Sequence, residues 1–64
     1  MRTYAIYIRD VRYSVPSLLL VEAAAEERVA DIARQKLEES PHHLAVEVVE
    51  GDTVLFRFQR ADGE

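Results

Sequence analysis

The sequence has no cysteine, no tryptophan and only two glycines and two prolines among its 64 residues. Without cysteine it has no disulfide, no thiolate nucleophile and no cysteine-based zinc site. Its glycines, Gly51 and Gly63, are too few and too far apart for a phosphate-binding loop. The hydroxyl residues stand outside any nucleophile motif. We therefore expect no catalytic residue and no bound cofactor, and we do not expect an enzyme.

Long apolar runs are also missing. The only continuous one is Leu18-Leu19-Leu20-Val21, which ends at Glu22. Four residues are far fewer than the roughly 20 that a membrane-spanning helix needs. The run also lacks the basic flank and cleavage pattern of a signal peptide. We therefore expect a cytoplasmic protein that does not contact a membrane.

The short length limits stability. Residues 1–64 are sufficient for one domain, and a chain of this size buries only about 60% of its unfolded surface. Small domains commonly compensate with disulfides, a metal or oligomerisation. Since disulfides are excluded, we expect self-association, most simply as a homodimer.

Charge is unevenly distributed. The net charge is −4, yet residues 1–17 carry three arginines against one aspartate, which gives +2, and the rest of the chain therefore carries −6. An acidic chain with few clustered basic groups is a poor match for the nucleic-acid backbone. Nucleic-acid binding is thus expected to be weak if it occurs at all.

The residue pattern predicts five elements in the order ββαββ. Residues 3–9 and 18–23 are rich in β-branched, aromatic and aliphatic residues, and residues 10–17 form the loop between them. Strong helix formers dominate residues 24–39, which end at Ser40-Pro41. Residues 44–59 form a hairpin around Gly51, and residues 60–64 form a tail.

Helical spacing defines one apolar stripe on the predicted helix, and carboxylates lie near its start, where they favour the positive end of the helix dipole. The carboxylates are Glu22, Glu26 and Glu27. The stripe consists of Ala25, Val29, Ile32, Ala33 and Leu37.

Two hairpin turns are compatible with the sequence. A two-residue Gly51-Asp52 turn pairs Glu50 with Thr53 and splits the apolar residues between the faces. A three-residue loop of residues 49–51, with Gly51 left-handed, pairs Val48 with Asp52. The second turn places six apolar side chains on one face, and we predict it for that reason. That face holds Leu44, Val46, Val48, Val54, Phe56 and Phe58.

One helix against four strands predicts an α+β two-layer sandwich. The right-handed crossover of the helix is satisfied by the sheet order 2-1-3-4, in which every neighbouring pair is antiparallel. A single helix covers only one side of such a sheet. The other side is therefore available for association.

We predict a small protein-interaction or regulatory module in which this uncovered side, or an adjoining strand edge, forms a homodimer interface, because mixed aliphatic, tyrosine and arginine surfaces suit protein contacts. Another protein is the alternative partner. An ordinary half-wet antiparallel sheet is the simpler interpretation. Single-stranded nucleic-acid binding through Tyr7, Arg9 and Arg57 is the alternative function. The interface candidates are Ala5, Tyr7, Arg9, Leu19, Val21, Ala45, Glu47, Leu55 and Arg57.

Two further groups of side chains are candidates for chemistry. His42 and His43 follow Pro41, and we interpret them as solvated loop residues, one of them near the helix C-terminus, and not as metal ligands. Glu47 lies within an apolar strand, and Arg57 lies diagonally from it at the closest. An ion pair at the surface or in an interface suits this pair better than acid catalysis does.

Three segments carry a resemblance to known proteins. They are residues 3–8 (Thr-Tyr-Ala-Ile-Tyr-Ile), residues 45–51 (Ala-Val-Glu-Val-Val-Glu-Gly) and residues 55–58 (Leu-Phe-Arg-Phe), with Glu22 and a helix between them. The chain resembles a loose group of short, uncharacterised bacterial ββαββ proteins, from which it differs in its longer 10–17 loop. The resemblance implies only the arrangement of the elements and carries no functional residue.

Overall fold

A computed structural model describes residues 1–60, so the predicted tail lies outside the described residues except for Arg60. The chain forms β1 (Arg2–Asp10), β2 (Ser17–Ala23), α1 (Glu26–Glu38), β3 (His43–Glu50) and β4 (Thr53–Gln59). The predicted ββαββ order is confirmed. The predicted boundaries of the helix and hairpin hold to within two residues.

The four strands form one sheet in the order β2-β1-β3-β4. Each neighbouring pair is antiparallel, as predicted. The order follows from the short β1–β2 connection, which pairs these strands, and from the helix, which returns the chain to the free side of β1. The α+β two-layer architecture is therefore confirmed.

The core lies between α1 and one face of the sheet. Alternate residues of β1 and β3 point to this face, and Tyr4, Ile6, Val46 and Val48 are completely or almost completely buried there. Val29, Ala33 and Leu37 bury the facing stripe of the helix. Phe56 and Phe58 stack with ring centroids 6.3 Å apart and pack against the same cluster. We call this side of the sheet the covered face.

The helix begins at Glu26, one residue after Ala25, which is the first residue of the predicted apolar stripe. Ala25 is its N-cap, has an extended backbone and provides no side-chain hydrogen bond. Ala25 thus lies outside the helix, and it is exposed. Ala30 is buried on the helix, although the predicted stripe did not contain it. Glu26 and Glu27 occupy the first turn, where their charge favours the helix dipole. Glu22 belongs to β2 instead.

The predicted three-residue hairpin loop is wrong. Glu50 pairs with Thr53 around a two-residue Gly51-Asp52 turn, in which Gly51 adopts φ +61°. Val48 then pairs with Phe56 while Val49 pairs with Val54, so Leu55 is the extra residue of a β-bulge. The bulge restores the parity that the short turn disrupts. Val46, Val48, Phe56 and Phe58 consequently share the covered face as predicted, whereas Val54 does not.

A second irregularity in strand pairing occurs where β1 ends and β3 begins. Arg9 pairs with Ala45 and Asp10 pairs with His43, which leaves Leu44 as the unpaired residue. Leu44 is exposed and therefore does not join the covered face, contrary to prediction. The shift instead brings Asp10 beside His43. This end of the sheet thus carries a group of interacting polar side chains.

Candidate interface on the uncovered sheet face

The open face is the side of the sheet opposite α1, and its composition follows from strand alternation and the observed register. Each strand contributes three or four side chains. They are Thr3, Ala5, Tyr7 and Arg9 of β1, Leu18, Leu20 and Glu22 of β2, Ala45, Glu47 and Val49 of β3, and Val54, Arg57 and Gln59 of β4.

One row of this face is apolar across the whole sheet. Leu20 pairs with Ala5, Ala5 with Val49, and Val49 with Val54. The two residues at the ends of the row are well exposed, Leu20 by 65% and Val54 by 49%. Leu18, which lies beside Tyr7 in the next row, is exposed by 56%. The row therefore forms a continuous apolar strip that no part of residues 1–60 covers.

The next row is polar on β3 and β4. Glu47 pairs directly with Arg57, whose Nε and Nη2 lie 2.8 and 2.7 Å from Glu47 Oε2. The predicted diagonal arrangement is therefore wrong. The two-residue turn, together with the bulge at Leu55, places Arg57 directly opposite Glu47. The pair remains largely exposed, which limits its contribution to roughly 0–1 kcal/mol.

A shallow cavity of about 320 Å³ occupies the polar half of the open face. The sheet forms its floor, and Pro16, from the β1–β2 connection, forms part of its wall. Its lining residues are Tyr7, Arg9, Pro16, Ala45, Val46, Glu47, Arg57 and Gln59. Five of the predicted interface residues thus line one concavity: Tyr7, Arg9, Ala45, Glu47 and Arg57.

The open face is electrically balanced although the chain is acidic. Its charged side chains are Glu22 and Glu47 on the acidic side and Arg9 and Arg57 on the basic side, while the whole chain carries −4. The excess of acidic groups therefore lies outside the open face. A second molecule with the same face would therefore meet little electrostatic repulsion there.

Three of the predicted interface residues belong to the other side of the sheet. Leu19 pairs with Ile6 and Val21 pairs with Tyr4, so both lie on the covered face and pack against the core. Leu55, the bulge residue, is also packed against the core. Sequence reasoning missed Leu18 and Leu20 because four successive apolar residues leave no alternation to interpret. Only the observed pairing of β2 with β1 assigns these two residues to the open face.

The polar end of the sheet holds a second group of interacting side chains. Asp10 is buried, and its carboxylate accepts hydrogen bonds from the Arg12 backbone N–H at 2.8 Å and from Arg12 Nη2 at 2.7 Å. His43 Nε2 lies 3.6 Å from the same carboxylate, and His43 Nδ1 is hydrogen bonded to the carbonyl oxygen of Lys36 at 2.5 Å. The Arg12 side-chain hydrogen bond is the main reason that the pKa of Asp10 lies well below its usual range, although burial opposes this shift.

These contacts correct the interpretation of the histidines. His43 is the first residue of β3 and its side chain is only 14% exposed, so it is not a solvated loop residue. Its position at the helix C-terminus agrees with the prediction for one of the two imidazoles. His42 is exposed, and its carbonyl oxygen accepts the Val11 N–H at 2.9 Å. The cluster links the ends of β1, α1 and β3, which is a structural role.

Arg60 completes this end of the molecule. Its Nη2 donates to the carbonyl oxygens of Leu37 and Ser40, both at 2.6 Å, and its Nε donates to that of His43 at 2.8 Å. These acceptors include a carbonyl from the last turn of α1, where a positive charge also favours the helix dipole. Arg60 therefore caps the helix from a distance and was wrongly assigned to a tail.

Neither metal binding nor membrane crossing finds support in the described part of the chain. Among residues 1–60, no group of three or more His, Asp or Glu side chains is arranged to hold a metal ion. No helix within the same residues is long and apolar enough to cross a membrane.

Comparison of the chain with protein-family models, curated proteins and solved structures finds no match.

Proposed function

We propose that this chain is a small, non-catalytic protein-interaction module that acts as a homodimer through its open face. The observation that carries the proposal is the apolar row from Leu20 to Val54, which crosses all four strands on the side that α1 leaves uncovered. Interfaces combine such an apolar centre with a polar rim. Here the rim consists of Arg9, Glu47, Arg57 and Gln59.

The small core supports the same proposal. Among residues 1–60, only five large side chains are fully buried: Tyr4, Ile6, Val29, Val46 and Val48. Apolar burial contributes about 25 cal/mol per Å², and a 64-residue domain has little of it to offset the entropy cost of ordering the chain. Covering the apolar row by a second copy adds burial that the single chain lacks. Binding to a second copy also stabilises the folded state by mass action.

Charge favours a second copy as the occupant. Because the open face carries two acidic and two basic side chains, opposite charges can meet across a two-fold axis. A strongly basic or acidic partner has no comparable match on this face. The partner that we propose is therefore another copy of the same chain.

A pair of matched valine-to-lysine variants tests this proposal. Val54→Lys places a charge at the end of the apolar row, whereas Val11→Lys places the same charge at an exposed position in the β1–β2 connection. We expect the parent chain and Val11→Lys to have dimeric or larger masses by multi-angle light scattering. Val54→Lys should have a smaller mass with unchanged far-ultraviolet circular dichroism.

A parent chain that is monomeric at high micromolar concentration would refute the proposal. Equal masses for the parent and Val54→Lys would show that the open face is not the contact. Circular dichroism detects loss of folding and light scattering detects loss of association, so the two effects are separated.

A second candidate function is single-stranded nucleic-acid binding. One observation favours it: Tyr7, Arg9 and Arg57 all line the same cavity, where an aromatic ring and guanidinium groups suit base stacking and phosphate contact. The acidic net charge and the engagement of Arg57 by Glu47 oppose it. A salt-dependent gel shift with a single-stranded oligonucleotide, abolished by Arg9→Ala, would support this function. No shift at low salt would remove it.

A further inference from the structure

The two edge strands of the sheet differ in how well they resist pairing with another strand. The edges are β2 and β4. β4 contains the bulge at Leu55 and the charged Arg57, and bulges and charges are both common protections against edge-to-edge pairing. By contrast, β2 pairs with β1 without interruption from Ser17 to Ala23. The outer side of β2 is therefore a regular strand edge.

The composition of β2 also leaves it unprotected. Its seven residues include no proline, no lysine and no bulge, and Glu22 is its only charged side chain. Four successive residues, 18–21, are apolar. An extended edge of this kind presents unpaired backbone N–H and C=O groups together with apolar side chains, which is a template for another strand.

The sequence of β2 is complementary to itself in antiparallel register. The strand spans Ser17–Ala23, so Leu20 is its central residue and a fully overlapping two-fold pairing places Leu20 against Leu20 of the second copy. In this register Leu19 lies opposite Val21, and both are on the covered face. Leu18 lies opposite Glu22, so the two Glu22 carboxylates are kept well apart.

We propose that two copies of this chain pair their β2 edges in antiparallel register centred on Leu20, which joins their sheets into one eight-stranded sheet. The pairing satisfies the outer backbone groups of β2 and covers the half-buried Leu19 and Val21. Both helices lie on the same side of the joined sheet, because a two-fold axis perpendicular to the sheet preserves its faces. The apolar rows of the two open faces become continuous at Leu20.

This contact goes beyond the proposed open-face dimer and is independent of it. Edge pairing leaves the open faces uncovered, so the two contacts are compatible in one assembly. They also differ in geometry. Directly opposed residues of antiparallel strands have Cα atoms about 4.5–5.5 Å apart, whereas stacked sheets are about 10 Å apart. A disulfide spans Cα separations of roughly 4.4–6.8 Å, which only the edge contact provides.

The absence of cysteine makes single-cysteine crosslinking the direct test. We expect Leu20→Cys to form a disulfide-linked dimer rapidly under mild oxidation, because Leu20 faces its own copy. Leu18→Cys alone should crosslink slowly, since the two Leu18 residues are about 13 Å apart along the strands in this register. An equimolar mixture of Leu18→Cys and Glu22→Cys should crosslink much faster than either variant alone, because only mixed pairs place the two cysteines directly opposite each other.

Val54→Cys is the matched control, because it lies on the same open face but on the opposite edge strand. Crosslinking of Leu20→Cys no faster than Val54→Cys would overturn the edge contact, as would crosslinking of Leu18→Cys alone at the rate of Leu20→Cys. Circular dichroism of each reduced variant establishes that it is folded. The Val54→Lys variant should retain Leu20→Cys crosslinking when the two changes are combined, which separates failure of the edge contact from failure of the open-face dimer.

Discussion

The two faces of the sheet are built from alternate residues of the same four strands, yet they differ in what stabilises them. On the covered face, Tyr4, Ile6, Val46 and Val48 are buried against α1. On the open face, Leu18, Leu20 and Val54 remain exposed although they are equally apolar. The difference shows that hydrophobicity alone does not define the core; the position of the single helix does.

Substituting one buried residue of the covered face and one exposed residue of the open face should give the largest contrast in stability. Ile6→Ala creates a cavity at a fully buried position and should lower the free energy of unfolding by about 2–5 kcal/mol. Leu20→Ala, at an exposed position, should change the stability of the monomer by about 0.5 kcal/mol or less. Urea unfolding at low protein concentration measures both. Comparable losses would contradict the distinction between the faces.

The polar end of the covered side provides a second contrast. Arg60→Gln removes a charged donor of three backbone hydrogen bonds and should cost roughly 1.5–3 kcal/mol. Arg28→Gln, at an exposed helix position, is the control and should change stability by about 0.5 kcal/mol or less. Thermal unfolding of both variants decides the result. An equal shift would show that Arg60 does not cap the helix.

Acid should weaken the same end of the molecule. Because the pKa of Asp10 is lower in the folded chain than in the unfolded one, its contribution is complete above its unfolded pKa of about 4. It is lost progressively as the pH falls below that value towards the folded pKa. Asp10→Asn should therefore be less stable than the parent at neutral pH, and the gap should narrow as the pH falls below about 4.

Melting temperatures measured from pH 7 to pH 2 check this dependence. Parallel curves for the parent and Asp10→Asn would contradict it. Glu27→Gln serves as the control, since this carboxylate is exposed in the first turn of α1 and distant in sequence from the Asp10 cluster.

The smallest effect is expected within the covered face itself. The Tyr4 side chain is fully buried, and its hydroxyl has no hydrogen-bond partner among residues 1–60. Tyr4→Phe removes a desolvated polar group without changing the ring, so stability should be unchanged or rise by about 1 kcal/mol. Chemical denaturation measures this change. A loss above about 1 kcal/mol would show that the hydroxyl contributes to folding.

The hairpin shows why residue pattern alone led to an incorrect turn. Either a three-residue loop or a two-residue turn followed by a bulge adds the one residue that parity requires. Both solutions place Val46, Val48, Phe56 and Phe58 on one face. They differ in Leu55 and Val54, whose positions depend on the local pairing of β3 with β4. The covered face was therefore predictable, but the register near the turn was not.

The candidate interface was predictable on β1 and the middle of β3, where Ala5, Tyr7, Arg9, Ala45 and Glu47 alternate with core residues. On β2 it was not, because residues 18–21 are all apolar and either parity fits. Leu19 and Val21 were consequently assigned to the wrong side. Only the pairing of Leu19 with Ile6 resolves the choice.

The order of elements, the helical stripe and the alternation along β1 were determined by the sequence by itself, since they depend on local periodicity and propensity. The tertiary structure alone decided the two bulges, the burial of Asp10 beside His43 and the capping of α1 by Arg60. The Asp10–His43 and Arg60 contacts join residues that are distant in the chain, and both bulges depend on how neighbouring strands pair, so no local pattern predicts them.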